Sequence, residues 1–320
     1  PAMILLTGGM GFIGLNVALH FIEIGEQVVL TQHKARRVPA ALEAALERQA
    51  FIEPVDIEHT DDVSDLVKRY RVTDIVHLAS PSARTQGSDG VRSMTTGLLN
   101  VLDAARTSDV RRVLVASSIW IYGGLPAGPF REDAPLGAQP EGQLETFRRI
   151  ELQKKAVEAL ALGYAAEHSV DLVALRIGRV YGPLNYKFMA HNAPSRLAVE
   201  AARGEAPSFD SPLHAGDEGD WCYVKDLARG IQMLQAAARL EHAVFNVGSG
   251  CSVSNAQVGE AARAVAPAMR IDLAPGTSPD ARPSPYMELS RIREAVGYEP
   301  EFDIARGMAD YVAWLRSNAE

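Results

Sequence analysis

Short apolar runs alternate with longer segments of helical periodicity through the first half of the chain. Residues 3–6, 27–31, 51–55, 74–79, 112–117 and 171–177 are apolar runs of strand length. Between them, 12–24 places Gly14, Ala18, Phe21 and Ile22 on one side, with Gly25 as its stop. Segments 40–48 and 91–106 also read as helices. Thr60 is placed to cap a helix that repeats Val63, Leu66, Val67 and Tyr70 at helical spacing. Residues 146–168 read as one long amphipathic helix. Strand then helix, repeated, predicts a parallel sheet covered on both faces. Right-handed crossovers then bring the strand ends, and any ligand, to one rim.

The expected architecture is therefore α/β, a Rossmann-type doubly wound parallel sheet with a smaller C-terminal substrate-binding lobe. Residues 1–183 are expected to form the dinucleotide-binding domain, with part of 220–250 packing back on it. Residues 184–320, punctuated by prolines, are expected to form mainly the lobe. Residues 123–142, rich in Gly and Pro, read as a long surface loop.

Composition narrows the class. Hydrophobic residues make up 47% and charged residues 22% of the 320 residues, as in an ordinary globular protein. A formal net charge of -8 disfavours a nucleic-acid footprint. No apolar run approaches membrane-spanning length, and the first runs straight into a glycine turn, so a membrane span and a signal peptide are not expected. Cys222 and Cys251 do not make a disulfide framework. They read as small buried apolar residues in a reducing, cytoplasmic setting. No metal-ligand spacing is present, so no metal is expected.

The run Thr7-Gly8-Gly9-Met10-Gly11-Phe12-Ile13-Gly14 lies between the first strand and the first helix. Of Gly8, Gly11 and Gly14, one permits the tight turn, one lets backbone N–H groups approach phosphate, and one lets the helix pack close to the sheet. In this context the motif predicts a dinucleotide site. The second strand ends in Gln32-His33-Lys34-Ala35-Arg36-Arg37, with no carboxylate for a ribose 2′-hydroxyl. Gln32, His33, Lys34 and Arg36 suit a 2′-phosphate, so NADP is favoured over NAD. Asp56 and Ile57, after the third strand, are placed to meet the adenine. Leu78, Ala79 and Ser80, after the fourth, complete the expected contacts.

These segments, with Asp74-Ile75-Val76-His77-Leu78-Ala79, Ala116-Ser117-Ser118-Ile119-Trp120-Ile121-Tyr122-Gly123, Leu175-Arg176-Ile177-Gly178-Arg179-Val180-Tyr181-Gly182-Pro183 and Asp220-Trp221-Cys222-Tyr223-Val224-Lys225-Asp226, resemble the extended short-chain dehydrogenase/reductase family, of the NAD-dependent epimerase/dehydratase type. The resemblance covers nearly the whole chain. It implies a Tyr acid/base, a Lys four residues later that lowers the Tyr pKa and holds the nicotinamide ribose, and a Ser that hydrogen-bonds the reacting oxygen. Ser118 matches the Ser. Lys154 matches the Lys, because Glu158 follows four residues on. The Tyr position is then Ile150, which cannot carry a proton. Shifting the match to Lys155 gives Glu151, a carboxylate, which reads as a solvated helix residue. The family's helix Asn is Met94, the Asn before the Tyr-Gly-Pro segment is Arg179, and the Arg before Asp220 is Gly219.

The resemblance therefore implies an NAD(P)-dependent epimerase, dehydratase or reductase of a sugar-like, possibly nucleotide-linked, small molecule. Its proton would move through a substitute such as Tyr186, His191 or a water. Arg84, Arg179 and Arg282 are the candidate substrate-anion contacts, with Ser118 on the reacting oxygen. The alternative on the same scaffold is a non-redox lyase or isomerase, or a cofactor-binding regulatory protein. The family also implies a homodimer, paired through the helix before the fifth strand and the helix bearing Lys154. On that helix Leu160, Leu162 and Tyr164 read as exposed.

Overall fold

The computed structural model describes residues 1–33, 38–80, 87–137, 145–185, 192–205 and 212–318. Strand and helix alternate from the start: β1 Met3–Thr7, α1 Phe12–Glu23, β2 Gln27–Thr31, β3 Ala50–Glu53, α2 Thr60–Tyr70, β4 Asp74–His77, α3 Gly87–Thr107, β5 Arg112–Ala116, α4 Glu145–His168 and β6 Leu172–Ile177. There follow β7 Arg179–Tyr181, α5 Ala193–Arg203, β8 Glu218–Gly219, β9 Trp221–Tyr223, α6 Val224–Ala236, β10 Val244–Val247, β11 Val253–Ser254, α7 Asn255–Val265, α8 Ser290–Val296 and α9 Ile304–Ser317.

Seven strands form one sheet in the order β10-β6-β5-β4-β1-β2-β3. The pairs from β3 through β6 are parallel. The chain moves outward from β1 to β2 and β3, then returns to build β4 on the other side of β1. That reversal opens a crevice beyond the carboxyl ends of β1 and β4, where open parallel sheets bind ligands. Ile4, Leu5 and Leu6 of the central strand are wholly buried, as are Val28, Val29 and Leu30 beside them. Burial on both faces explains why these strands read as continuous apolar runs.

Two compact units are present, each assembled from three chain segments. The first holds Pro1–Ile121, Thr146–Arg176 and Ala228–Phe245, and the second Tyr122–Glu145, Ile177–Leu227 and Asn246–Glu320. Ala228–Phe245 lies in the first unit, within the 220–250 stretch expected to pack back on it, whereas Tyr122–Glu145 and the residues from Ile177 up to the expected boundary at 183 lie in the second. In the first unit, Leu5, Val29, Ile75 and Val113 from the strands pack with Val63, Leu66, Val67, Leu98 and Val101 from α2 and α3. Buried Arg112 clamps this unit by donating to both oxygens of Asp171 and to the carbonyls of Leu234, at 2.8 Å, and Ala237, at 2.7 Å. In the second unit, Tyr181, Leu197, Trp221, Tyr223, Val258 and Tyr311 form the core.

Several local expectations change. Residues 40–48 hold only a short 3-10 turn, Ala40–Ala45, burying Leu42 and Ala45. Thr60 does not cap α2. His59 holds that position, and the Thr60 hydroxyl donates to Asn100 Oδ1 at 2.9 Å. Leu160, Leu162 and Tyr164 are partly buried against the core, with the Tyr164 hydroxyl donating to Asp103 on α3. Cys222 is buried as expected, but Cys251 is exposed, because it sits in the turn just before β11. No helix among the described residues is long and apolar enough to cross a membrane.

Candidate functional site

The first unit carries the glycine turn at the carboxyl end of β1. Gly11 N–H donates to Gly8 O at 3.0 Å, closing a tight loop before α1. Gly8 has φ +69°, and a Cβ there would lie 2.7 Å from the backbone nitrogen of Ala79. A Cβ on Gly14 would lie 2.4 Å from Gly8 O, so only glycine lets α1 start this close to the strand. Gly11 caps α1 with no side-chain hydrogen bond. The N–H groups of the first turn, where Phe12 and Ile13 lie, thus face no capping side chain, and the positive end of the helix favours an anion. Leu78 and Ala79 lie against this turn, with Leu78 N–H donating to Thr7 O at 3.0 Å, and Ser80 follows them. A cradle of backbone, closed to side chains at two glycines, fits the pyrophosphate of a dinucleotide.

At the end of β2, Gln32 is buried and donates its N–H to Glu53 O at 2.8 Å. His33 Nδ1 lies 3.3 Å from Asp56 Oδ2, while Asp56 Oδ1 accepts from Glu58 N–H at 3.0 Å. Ile57 packs under Gly97, where an added Cβ would approach its Cδ1 to 2.7 Å. Beside the strand end, the Asp56 carboxylate is thus held by the Glu58 backbone and in turn meets His33, while Ile57 packs on α3. Lys34 and Arg36 lie outside the described residues, as do Arg84, Tyr186 and His191.

On α4, Lys154 Nζ donates to Ala116 O, the last carbonyl of β5, at 3.0 Å. Burial pushes the Lys154 ammonium down to about 8. His77 is buried nearby and hydrogen-bonded to Thr7 Oγ1 at 2.7 Å; burial first, and the Lys154 charge second, push its pKa down to about 3. Ser118 follows β5, and its Oγ accepts from Trp120 N–H at 3.2 Å. The structure thus sets both Ser118 and Lys154 at the same strand end, while Ile150 is half-buried one turn before Lys154.

A buried network absent from the sequence reading supports this strand end. Ser117 Oγ donates to Glu158 Oε2 at 2.6 Å, and Arg176 Nε donates to Glu158 Oε1 at 3.1 Å. Glu151 also departs from expectation: its side chain is fully buried and paired with Lys155. It shares one stripe with Lys154, Glu158 and Ala161, at i, i+3, i+7 and i+10. That spacing was the available signal, masked by the polarity of its members.

In the second unit, the Arg179 guanidinium lies 5.5 Å from the centre of the Trp221 ring, its register partner on β9. Burial lowers the Arg179 pKa, opposed by the carboxylates of Asp220 and Asp217 and reinforced by the Arg282 charge. Asp220 is wholly buried and accepts from Ser249 N–H and Oγ, at 2.7 and 2.8 Å, and from Met287 N–H at 2.9 Å. Gly219 packs against the same indole, 3.0 Å from a built Cβ to Trp221 Cε2. Arg282 lines a cavity of about 260 Å³ with Gly123, Gly124 and Asp280. Tyr122 is committed elsewhere: it stacks on Phe130 at 5.1 Å, and its hydroxyl donates to Asn246 Oδ1 at 2.7 Å.

Comparison with known proteins agrees with this geometry. The model of the NAD dependent epimerase/dehydratase family matches residues 4–248. A dTDP-glucose 4,6-dehydratase of an Actinoplanes species is 27% identical, covering 98% of this chain and 98% of the relative. A UDP-glucuronate 4-epimerase of Arabidopsis thaliana is 25% identical, covering 98% of this chain and 75% of the relative. Among solved structures, the fold is shared with a UDP-glucose 4-epimerase of Thermotoga maritima with UDP-glucose, at TM-score 0.79, 21% identity and coverage of 99% and 100%. It is also shared with a dTDP-glucose 4,6-dehydratase of Bacillus anthracis in complex with NAD, at TM-score 0.80, 19% identity and coverage of 100% and 98%. A backbone cradle for pyrophosphate, a lysine anchored at the end of β5 and a family match over most of the chain lead to one conclusion: the chain belongs to the NAD dependent epimerase/dehydratase family.

Proposed function

We propose that this chain is an NAD(P)-dependent epimerase or dehydratase of a nucleotide-linked sugar, working with a non-standard proton relay. The observation that carries the reading is Lys154, half-buried and hydrogen-bonded to the last carbonyl of β5, two residues before Ser118. Gly8, Gly11, Gly14, Phe12 and Ile13 would hold the pyrophosphate through backbone N–H groups. Asp56 and Ile57 would face the adenine, with Leu78, Ala79 and Ser80 along the β4 side. Gln32, His33, Lys34 and Arg36, with no carboxylate among them, favour NADP over NAD. Lys154 would hold the nicotinamide ribose, and the dinucleotide, when bound, supplies the hydride acceptor and donor. The Ser118 hydroxyl would donate to the reacting oxygen, drawing charge onto it as it develops.

Arg179 and Arg282 are proposed as contacts to an anionic substrate, because a guanidinium fork matches a phosphate. Arg84 is a further anion contact proposed from sequence alone. The relatives named for dTDP-glucose and for UDP-glucuronate make a nucleotide diphosphate sugar the substrate class proposed for this chain. Tyr186 and His191 are the proton carriers proposed from sequence. A homodimer is proposed through α3 and α4, on which Val91 and Leu152 are exposed apolar side chains at 47% and 51%.

The test is direct. Protein as purified is assayed by mass spectrometry for retained dinucleotide, titrated with NADP and NAD, and incubated with UDP- and dTDP-linked sugars, with products read by NMR. Retention or binding of dinucleotide, tighter for NADP, and conversion of at least one sugar nucleotide are expected. No binding and no conversion overturn the reading. Ile150 favours a second, non-redox reading on the same scaffold. It predicts bound dinucleotide with no hydride exchange between substrate and nicotinamide.

A further inference from the structure

We infer that Trp221 is a positioning residue of the substrate site: its indole carries the Arg179 guanidinium so that the N–H fork is presented to an oxyanion of the substrate. The inference rests on the proposed nucleotide-linked, anionic substrate and names the side chain that aims its contact.

Strand register makes the two side chains neighbours. β7 and β9 run parallel, with Arg179 opposite Trp221 and Tyr181 opposite Tyr223. Alternate residues of a strand share a face, so all four side chains stand on one side of this ribbon. Tyr181 and Tyr223 are 0% and 1% exposed, with ring centres 5.1 Å apart, and they anchor that face in the core of the second unit. Trp221 is also buried, while Arg179 is partly exposed. The face thus runs from a sealed aromatic pair to a guanidinium set over an indole, 5.5 Å from its centre. Arg179 N–H donates to Asp220 O at 3.0 Å, which fixes where the side chain starts.

The indole is itself placed by packing. Its Nε1 has no hydrogen-bond partner among the described residues, so no polar contact there sets the angle of the ring. Gly219 does: a Cβ at this position would lie 3.0 Å from Cε2 and 3.1 Å from Nε1. A side chain at 219 would push the ring aside. The glycine that stands where the resemblance implies an arginine is therefore what lets the indole take this place. Two departures from the family pattern, Arg179 and Gly219, thus meet at one indole. Position 219 makes the room, and position 179 supplies the cation. Ser278 N–H donates to Asp217 Oδ1 at 2.7 Å, tying the segment that carries Arg282 to the residue just before β8. A guanidinium attracted to an aromatic face keeps its edge N–H groups for acceptors, and that edge matches two oxygens of a phosphate. A lysine at 179 would bring a point charge with no fork to aim.

The test titrates UDP and dTDP into purified protein by calorimetry, which reads affinity without turnover. R179M is expected to weaken UDP binding about tenfold to a hundredfold. R179K keeps the charge and loses the fork, and is expected to weaken it at least about fivefold. W221L is expected to weaken it about fivefold to thirtyfold, the span of a partly to fully desolvated cation over an aromatic face. W221F keeps a face and is expected to recover most of that loss. In the R179M background, W221L is expected to change affinity less than about twofold, because the indole acts through the guanidinium. A role confined to core packing would lower the urea midpoint and weaken UDP equally in both backgrounds, or not at all. Full UDP affinity in R179K, whose site is partly exposed and needs no change in the core, overturns the inference and leaves the functional reading standing. So does a W221L loss of the same size with and without Arg179. A wild type that binds neither UDP nor dTDP overturns the nucleotide-linked reading and this inference with it.

Discussion

Glu158 and Arg176 form a buried ion pair whose removal reports on how α4 is held to the sheet. Their side chains are 6% and 5% exposed. Arg176 Nε bridges both carboxylate oxygens at 3.1 and 3.2 Å, and the Ser117 hydroxyl fills a further lone pair at 2.6 Å. E158Q leaves the guanidinium buried without its counter-charge, which costs about 3–5 kcal/mol. The remaining amide oxygen can still accept from Ser117 or Arg176, so about 3 kcal/mol is the expected loss. R176M strands the carboxylate instead and belongs nearer the upper end of that range. The double variant E158Q/R176M removes both charges and retains the Ser117 contact. It is expected to lose less than the more damaging single variant, giving a coupling energy of at least about 3 kcal/mol. Equilibrium urea denaturation followed by far-UV circular dichroism measures all four corners of the cycle. A double variant that loses the sum of the two single losses would refute the argument, since the pair would then carry no mutual energy.

Four further outcomes follow from the same structure. G14A, whose Cβ would sit 2.4 Å from Gly8 O, is expected to cost about 1–3 kcal/mol and to weaken dinucleotide binding at least tenfold by titration; G163A, whose Cβ meets nothing within 4 Å, should instead gain about 0.5–1 kcal/mol. Burial holds the Lys154 ammonium down at about 8, below its ordinary 10.5, so between these values the unfolded chain binds more protons and stability should rise with pH. Below about 8 both states are protonated and this contribution is flat; denaturation of wild type and K154M across the range checks it, and parallel curves would contradict it. R179M is expected to raise KM for a nucleotide sugar about tenfold to a hundredfold, the worth of one charge-assisted hydrogen bond, with the far-UV spectrum unchanged.

Much of the fold was legible in the residues themselves. Apolar runs at 3–6, 27–31 and 74–77 had to be strands buried on both faces, and glycines at 8, 11 and 14 had to turn between strand and helix. Those are local signals: each rests on residues adjacent in the chain or on one repeat period. Ser118 and Lys154 were named only through the family resemblance, which no local period supplies. The polar interior was not legible. Glu151 and Glu158 look alike in sequence to any charged residue on an amphipathic helix, and only burial separates them from Glu167, which is exposed. Arg176 reads as a break in an apolar strand until Glu158, 18 residues earlier, is seen to meet it. Cys251 and Cys222 are chemically identical, yet one faces solvent and the other the core. A carboxylate's role depends on what surrounds it in three dimensions, because desolvation and counter-charge decide its energy. The sequence therefore determined that this protein builds a dinucleotide cradle, and only the tertiary structure decided which acidic side chain lies buried beside its lysines.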